Sequence, residues 1–263
     1  MDVEDYLREI QGDWRYREEY EFALSYDGVI EFIDAGGAVC VMDDHEPECM
    51  IYDYDRAALD SIERILKEKK GEYERLLITF NVSRDIDEAT EIEYLRSRNY
   101  EFYQSYDSYV AKADAVTDER IADDEHIVEM IAANVDDYSF DQLKSGFKHT
   151  AWHPFPTPDM KDMIPQKYDG IMLAYADGNE ALGYLKSFHS RTDNVNLPRI
   201  IYVAENHRNC GIATKLLQHL VSLSKKNNHN VYMSSTTAEL GKVAIKAGFE
   251  WCSKHMAFHL ISK

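Results

Sequence analysis

Arg208 and Gly211 are the residues whose types and spacing most clearly allow chemistry on a ligand. Arg208 offers a planar cationic fork suited to phosphate oxygens. Gly211, three residues on, has no Cβ and lets a ligand approach the backbone closely. Their surroundings fit an anion site. Ile200-Ile201-Tyr202-Val203 is a short apolar run rich in β-branched and aromatic residues, which predicts a buried strand. Ile212, Leu216, Leu217, Leu220 and Leu223 then recur at helical spacing, which predicts a helix starting near Gly211. The first amides of a helix have no partner within it, and the helix dipole adds partial positive charge. The turn therefore presents Asn209, Cys210, Gly211, Ile212 and Ala213 beyond the strand end, a geometry that binds phosphate. Two residues nearby are candidates for proton transfer: Glu205 directly follows the strand, and His189 ends the strand expected before it. A carboxylate needs a raised pKa for that role, whereas histidine titrates near neutrality. His153, His255 and His259 have no metal-ligand spacing, so no metal site is expected.

The elements that follow come in a set order. Asn230 to Ser234 reads as a strand, Ala238 to Ala247 as a helix, Gly248-Phe249 as a break, and Trp251 to Leu260 as a last strand. Strand, Arg-x-x-Gly-x-Ala (Arg208, Gly211, Ala213), apolar helix, strand, helix, Gly-Phe, strand resembles the C-terminal half of the GNAT N-acyltransferase family, over roughly residues 170–263. The resemblance implies an α/β (α+β) fold with a mixed, mostly antiparallel sheet flanked by helices. It also implies transfer of an acetyl group from acetyl-CoA directly to an amine. In the family, main-chain amides of the strand before the phosphate loop align the acyl carbonyl; Tyr202 and Val203 hold that place here. The pyrophosphate would lie on the amides from Asn209 to Ala213, beside Arg208.

Direct acyl transfer needs a neutral amine held against the carbonyl, and a proton for the leaving thiolate. For the proton, the family often uses a tyrosine four residues before the Gly-Phe glycine. Here that position is Ala244. Tyr232 on the preceding strand, or Ser234 and Ser235 at its end, are the alternatives. Cys210 reads as a small loop filler, although a helix N-terminus can activate a thiol.

Earlier in the chain, Phe22 to Tyr26, Val29 to Ile33, Ala38 to Met42 and Cys49 to Tyr54 read as strands, after a helix near the N-terminus. Ala57 to Lys70 reads as a helix, Leu76 to Phe80 as a strand, Asp87 to Arg98 as a helix, and Tyr100 to Ala113 as mostly strand. This order echoes the C-terminal one, with Asn99-Tyr100 standing where Gly248-Phe249 stands. Two GNAT-like units in tandem are therefore expected, an N-terminal domain over 1–113 and a catalytic domain over 114–263. The position matching the phosphate loop reads Asp53-Tyr54-Asp55-Arg56-Ala57-Ala58, with no glycine and two carboxylates, so the first unit is expected to be degenerate. Between the units lies a charged, small-residue boundary from Ala113 to Asp124. Asp124 to about Val135 and Tyr138 to Phe147 are expected as helices like those that line the family's acceptor groove. The proline-dense Trp152 to Pro165 is expected as an ordered loop, with Trp152 and Phe155 able to contact substrate. Gly170 to Ala176 and Ala181 to Ser187 form a hairpin around Asp177-Gly178-Asn179.

Charge limits the partners. Residues 1–113 hold 13 basic and 29 acidic side chains, a net −16, against −3 for residues 114–263 with 16 and 19. Nucleic acid is thereby disfavoured, because it needs clustered cations; a small cationic amine acceptor is allowed. No run of 18 apolar residues exists, so no membrane span is expected. The acidic N-terminus lacks a signal-peptide h-region, and the four cysteines show no Cys-x-x-Cys spacing, so a cytoplasmic chain with reduced thiols is expected, as monomer or homodimer. The leading function is acetyl-CoA-dependent N-acetylation of a small amine. The alternatives are an acetyl-CoA-binding pseudoenzyme or sensor, motivated by Ala244 and by the acidic N-terminal unit, and N-acetylation of protein.

Overall fold

Leu76, Ile78, Phe80 and Val82 alternate along one strand, and all four are buried, as a period of two requires for a sheet with one face in a core. The computed structural model describes residues 3–18, 20, 30–34, 39–43, 48–51, 54–69, 75–114, 124–143, 170–190 and 193–261. In chain order the elements are α1 (Val3–Ile10), β1 (Ile30–Asp34), β2 (Val39–Asp43), β3 (Glu48–Ile51), α2 (Arg56–Lys69), β4 (Arg75–Val82), α3 (Glu88–Ser97) and β5 (Tyr100–Ala111). There follow β6 (Ile127–Glu129), β7 (Gly170–Asp177), β8 (Glu180–His189), β9 (Val195–Val203), α4 (Ile212–Lys226), β10 (Asn230–Ser235), α5 (Ala238–Lys246) and β11 (Glu250–Ile261). The strands expected at 22–26, the proline-dense loop at 152–165 and most of the boundary at 113–124 lie outside the described residues.

Two compact units result, and neither is one continuous piece of chain. The first comprises Met1–Ser108, Ser234–Thr237 and Cys252–Lys263; the second comprises Tyr109–Met233 and Ala238–Trp251. In the first, strands neighbour one another in the order β1-β2-β3-β4-β11-β5. β3 and β4 are parallel, while β1/β2, β2/β3 and β4/β11 are antiparallel. Its core gathers Leu59 of α2, Leu95 of α3, the apolar face of β4, and Met256, Phe258 and Leu260 of β11.

In the second unit the order is β10-β9-β8-β7-β6, antiparallel except for β9/β10. Leu173, Leu185, Ile201 and Val203 face α4 and α5 in one cluster. Met172, Ala174, Tyr184, Ile200 and Tyr202 form the opposite face, covered by Met130, Val135, Phe140 and Leu143.

One expectation is corrected. Residues 124–135 are not a helix but the short strand β6 and single tight turns. Ile127 and Val128 are β-branched and pair with Tyr175 and Ala174 of β7. Asn134 then breaks helical continuity: its side chain accepts from the Ile131 N–H (2.9 Å) and donates to the Glu129 carbonyl (3.0 Å). Of the helix expected at 138–147, the described part is one turn, Asp141–Leu143.

Candidate active site

β9 and β10 start together and separate. Their parallel pairing covers Val195–Asn196 against Asn230–Val231 and goes no further. From Leu197 to Val203, β9 keeps its other partner, β8. Its side toward β10 is thereby open to a ligand's hydrogen bonds. That stretch also carries a bulge: Ile200 pairs with Lys186 and Pro198 with Ser187, so Arg199 has no opposite residue. Pro198, which has no N–H, stands next to the interruption.

The loop expected to bind phosphate lies past the end of β9. Glu205–His207 form a single turn, then the chain reaches α4 through Asn209 at φ 64° and Gly211 at φ 83°. Left-handed residues in such a loop point successive amides inward and make a concave anion seat. Gly211 caps α4 without a side-chain bond, and no atom lies within 4 Å of where its Cβ would be. The space on the Cβ side of Gly211 is thus open at the helix end, where an anion could approach the amides. Gly183 on β8 lets the helix start close to the sheet, since a Cβ there would meet Ile212 Cγ2 at 2.8 Å. Arg208 donates from Nε to the Val203 carbonyl (3.3 Å) and lies 5.6 Å from the Tyr202 ring centre. Cys210 is an exposed free thiol whose nearest polar partner is the Arg208 carbonyl, at 3.6 Å.

A family model described as the acetyltransferase (GNAT) family matches residues 81–247, more than half of the chain. The chain belongs to the GNAT acetyltransferase family. Solved structures agree in fold. A functionally unknown conserved protein from Staphylococcus epidermidis is 16% identical at TM-score 0.55, over 94% of this chain and 98% of that one. A GCN5-related N-acetyltransferase from Kribbella flavida is 13% identical at TM-score 0.55, over 100% and 97%. An acetyltransferase of the GNAT family from Colwellia psychrerythraea is 14% identical at TM-score 0.54, over 85% and 81%. No curated protein matches the sequence. Membership carries acyl transfer as the general chemistry, for which GNAT proteins generally use acetyl-CoA.

In this GNAT fold the expected site residues do not all meet. Tyr202, Val203, Glu205, Arg208 and the loop from Asn209 to Ala213 are contiguous at one end of β9. Glu205 is exposed there, in the turn directly after the strand. Tyr232 comes just past the last β9–β10 pair; its neighbours Val231 and Met233 point into the cluster under α4, so its ring takes the other face, where it is 2% exposed. Ala244 is fully buried in that same cluster, so a tyrosine there would have to displace packed apolar neighbours. Ser234 donates to Glu18, and Ser235 donates to the Thr237 carbonyl (2.8 Å), both within the first unit.

His189 is placed elsewhere, away from the end of β9 where Glu205 lies. Antiparallel register sets it opposite Asn196, seven residues before Val203 and about 23 Å from it at roughly 3.3 Å per residue. There His189 Nδ1 bonds Asn196 Oδ1, and Asn196 Nδ2 donates to Ser224 Oγ (2.6 Å). Among the described residues no group of three or more potential metal ligands exists. No helix of the described chain is long and apolar enough to cross a membrane.

Two features escaped the sequence reading. The bulge at Arg199 has no signature beyond Pro198. Lys186 left a trace, as the one charged residue in the apolar run Ala181-Leu182-Gly183-Tyr184-Leu185-Lys186-Ser187-Phe188. Burial holds its ammonium below the ordinary lysine range.

Proposed function

We propose that this protein transfers an acetyl group from acetyl-CoA to a primary amine of a small molecule, by direct transfer, at the separated ends of β9 and β10. The observation that carries the reading is the combination of an unpaired β9 edge with an uncapped α4 N-terminus at its head. Acetyl-CoA supplies the acyl group as an activated thioester. The amides from Asn209 to Ala213 and the Arg208 guanidinium hold its pyrophosphate. Main-chain groups of Tyr202 and Val203 orient the acyl carbonyl, and a donor in line with it stabilises developing negative charge. Glu205 takes the proton that the amine gives up, directly or through water. The Tyr232 hydroxyl is the candidate donor to the departing thiolate, since Ala244 has no proton to give. The acidic residues of the chain favour a cationic amine through a field that salt weakens.

Release of free thiol from acetyl-CoA across a panel of amines tests this reading. Amine-dependent release by the full chain supports it. Tight coenzyme A binding without transfer to any amine would instead support the binding-only alternative, for which Ala244 is the specific motive.

A further inference from the structure

Lys186 is a cation set in an apolar strip of the second unit. It shares a face of β8 with Tyr184, and its cross-strand neighbours are Met172 on β7 and Ile200 on β9. Tyr184 and Met172 are 0% and 1% exposed, and Ile200 packs on the same cluster. The Lys186 ammonium lies 5.0 Å from the Phe188 ring centre, and among the described residues no carboxylate pairs with it. An ammonium held among apolar side chains costs free energy unless an anion approaches it. Surface lysines avoid that cost by extending their heads into water, whereas this one is partly buried with its ammonium near the Phe188 ring.

Position gives the feature its meaning. Tyr202, opposite Tyr184, lies on the same face and carries the Arg208 guanidinium over its ring. The strip therefore ends at the phosphate loop on one side. On the other side Lys186 pairs with Ile200, directly beside the bulge at Arg199, on the stretch of β9 that β10 leaves open. A molecule whose amine reaches the acyl group beside the open stretch of β9 extends past Lys186, which is only partly covered at the margin of this face. We propose that Lys186 binds a carboxylate of the acceptor, so that the acceptor is an amino acid or a similar carboxylate-bearing amine. This rests on the reading that transfer occurs beside β9. A charge-assisted bond in a partly desolvated place orients the amine as well as holding it.

The test uses the full chain saturated with coenzyme A and follows the Lys186 side-chain resonances by NMR, assigned by their loss in Lys186→Met. N-acetylglycine is the probe, and N-methylacetamide is its carboxylate-free counterpart. We expect N-acetylglycine to raise the Lys186 pKa saturably and N-methylacetamide to leave it unchanged. Lys186→Met should weaken N-acetylglycine binding about tenfold or more, and Lys186→Arg should restore most of it. Coenzyme A affinity should be equal in all three proteins. No response to N-acetylglycine up to its solubility, or equal responses to both probes, overturns the proposal. So does a shift caused by coenzyme A alone, which would make the anion a cofactor phosphate. Because the readout needs no turnover, a protein that binds N-acetylglycine through Lys186 yet acetylates no amine refutes the proposed function and leaves the carboxylate site standing.

Discussion

Helices α2 and α4 stand at the same place in the same order of elements, helix–strand–helix–strand, and their N-termini are finished in opposite ways. At α2 the Ala57 N–H donates to the Asp55 carboxylate (2.9 Å), so the chain's own anion occupies the helix end. Arg56 turns away to Glu91 (2.8 Å) and lies 4.2 Å from the Tyr94 ring centre. The strands beside it are closed: all four residues of β3 pair with β4, and the Tyr54 N–H continues the contact to the Asn81 carbonyl (2.9 Å). At α4 the cap is Gly211, without a side-chain bond, and β9 pairs with β10 through two residues only. The shared features are those the fold needs, and the features that differ are those the proposed cofactor would need. Both regions keep the helix over the sheet and end the next helix with a left-handed residue, Asn99 at φ 73° and Gly248 at φ 93°. An open helix end and an open strand edge occur together in one region and are both closed in the other.

The largest expected effect comes from breaking the unit that holds α2. Its core includes Met256, Phe258 and Leu260 from the chain's last strand, with Phe258 ring-to-ring with Phe80 at 5.8 Å and Phe102 at 5.4 Å. Each such side chain contributes about 1.5–3 kcal/mol by burial, so three rival the whole stability of a domain, about 5–15 kcal/mol. A chain ending at Trp251 should lose hydrogen-exchange protection in β4. A fragment of residues 114–263 should be poorly soluble, because those three residues lose their partners. Native-like protection of β4 in the shortened chain would show that β11 is dispensable.

Next is the α4 end. Gly211→Glu sets a carboxylate where the phosphates are proposed to lie, and coenzyme A affinity should fall by more than tenfold, over about 1.4 kcal/mol. The space around Gly211 is empty, so the chain should still fold, with strain of about 1–2 kcal/mol from the left-handed backbone. Gly211→Ala carries the same strain without the charge and serves as control. Calorimetry on the full chain should also give one coenzyme A per chain; two equal sites would erase the contrast between the helix ends. Glu205→Gln should lower kcat about tenfold or more if Glu205 takes the amine proton, with coenzyme A affinity unchanged.

Periodicity and glycine placement made the second unit legible. Ile212 to Leu223 marked α4, Asp177-Gly178-Asn179 marked the β7–β8 hairpin, and Arg208 with Gly211 marked the loop, because each depends on local sequence. In the first unit, α2, β4, α3 and β5 were legible for the same reason. What failed was non-local. The span from Asp124 to Val135 has apolar residues at spacing that fits a helix, and only the pairing of Ile127 and Val128 with β7 makes it strand. That β9 and β10 separate after two pairs is a property of both strands at once, and neither sequence announces it. Exchange of the last strand into the first unit is likewise invisible in a linear order of elements.

A smaller effect tests which closure matters at α2. Asp55→Ala removes the capping carboxylate and should cost about 1 kcal/mol of stability, read as a lower thermal midpoint. Coenzyme A stoichiometry should stay at one, because β3 and β4 remain paired along their length. A second binding site in this variant would mean that the carboxylate alone excludes the ligand.

The smallest effect on activity belongs to His189. By type alone it competes with Glu205 as base. By register it lies at the other end of β9, opposite Asn196, away from the loop proposed to hold the cofactor. His189→Ala should change kcat by less than a factor of two, in contrast to Glu205→Gln. Its consequence is local. Loss of the bond to Asn196 removes one member of the chain that runs through Ser224 to the Leu220 carbonyl, at a cost of about 1 kcal/mol. It also removes a neighbour of His229, whose ring centre lies 5.5 Å away and whose pKa is held down first by burial and then by the charge of His189. His229 should therefore titrate at higher pH in His189→Ala than in the parent, as read by NMR of its ring protons. A loss of kcat as large as that of Glu205→Gln, with His229 unmoved, would mean that the β8–β9 register places His189 wrongly.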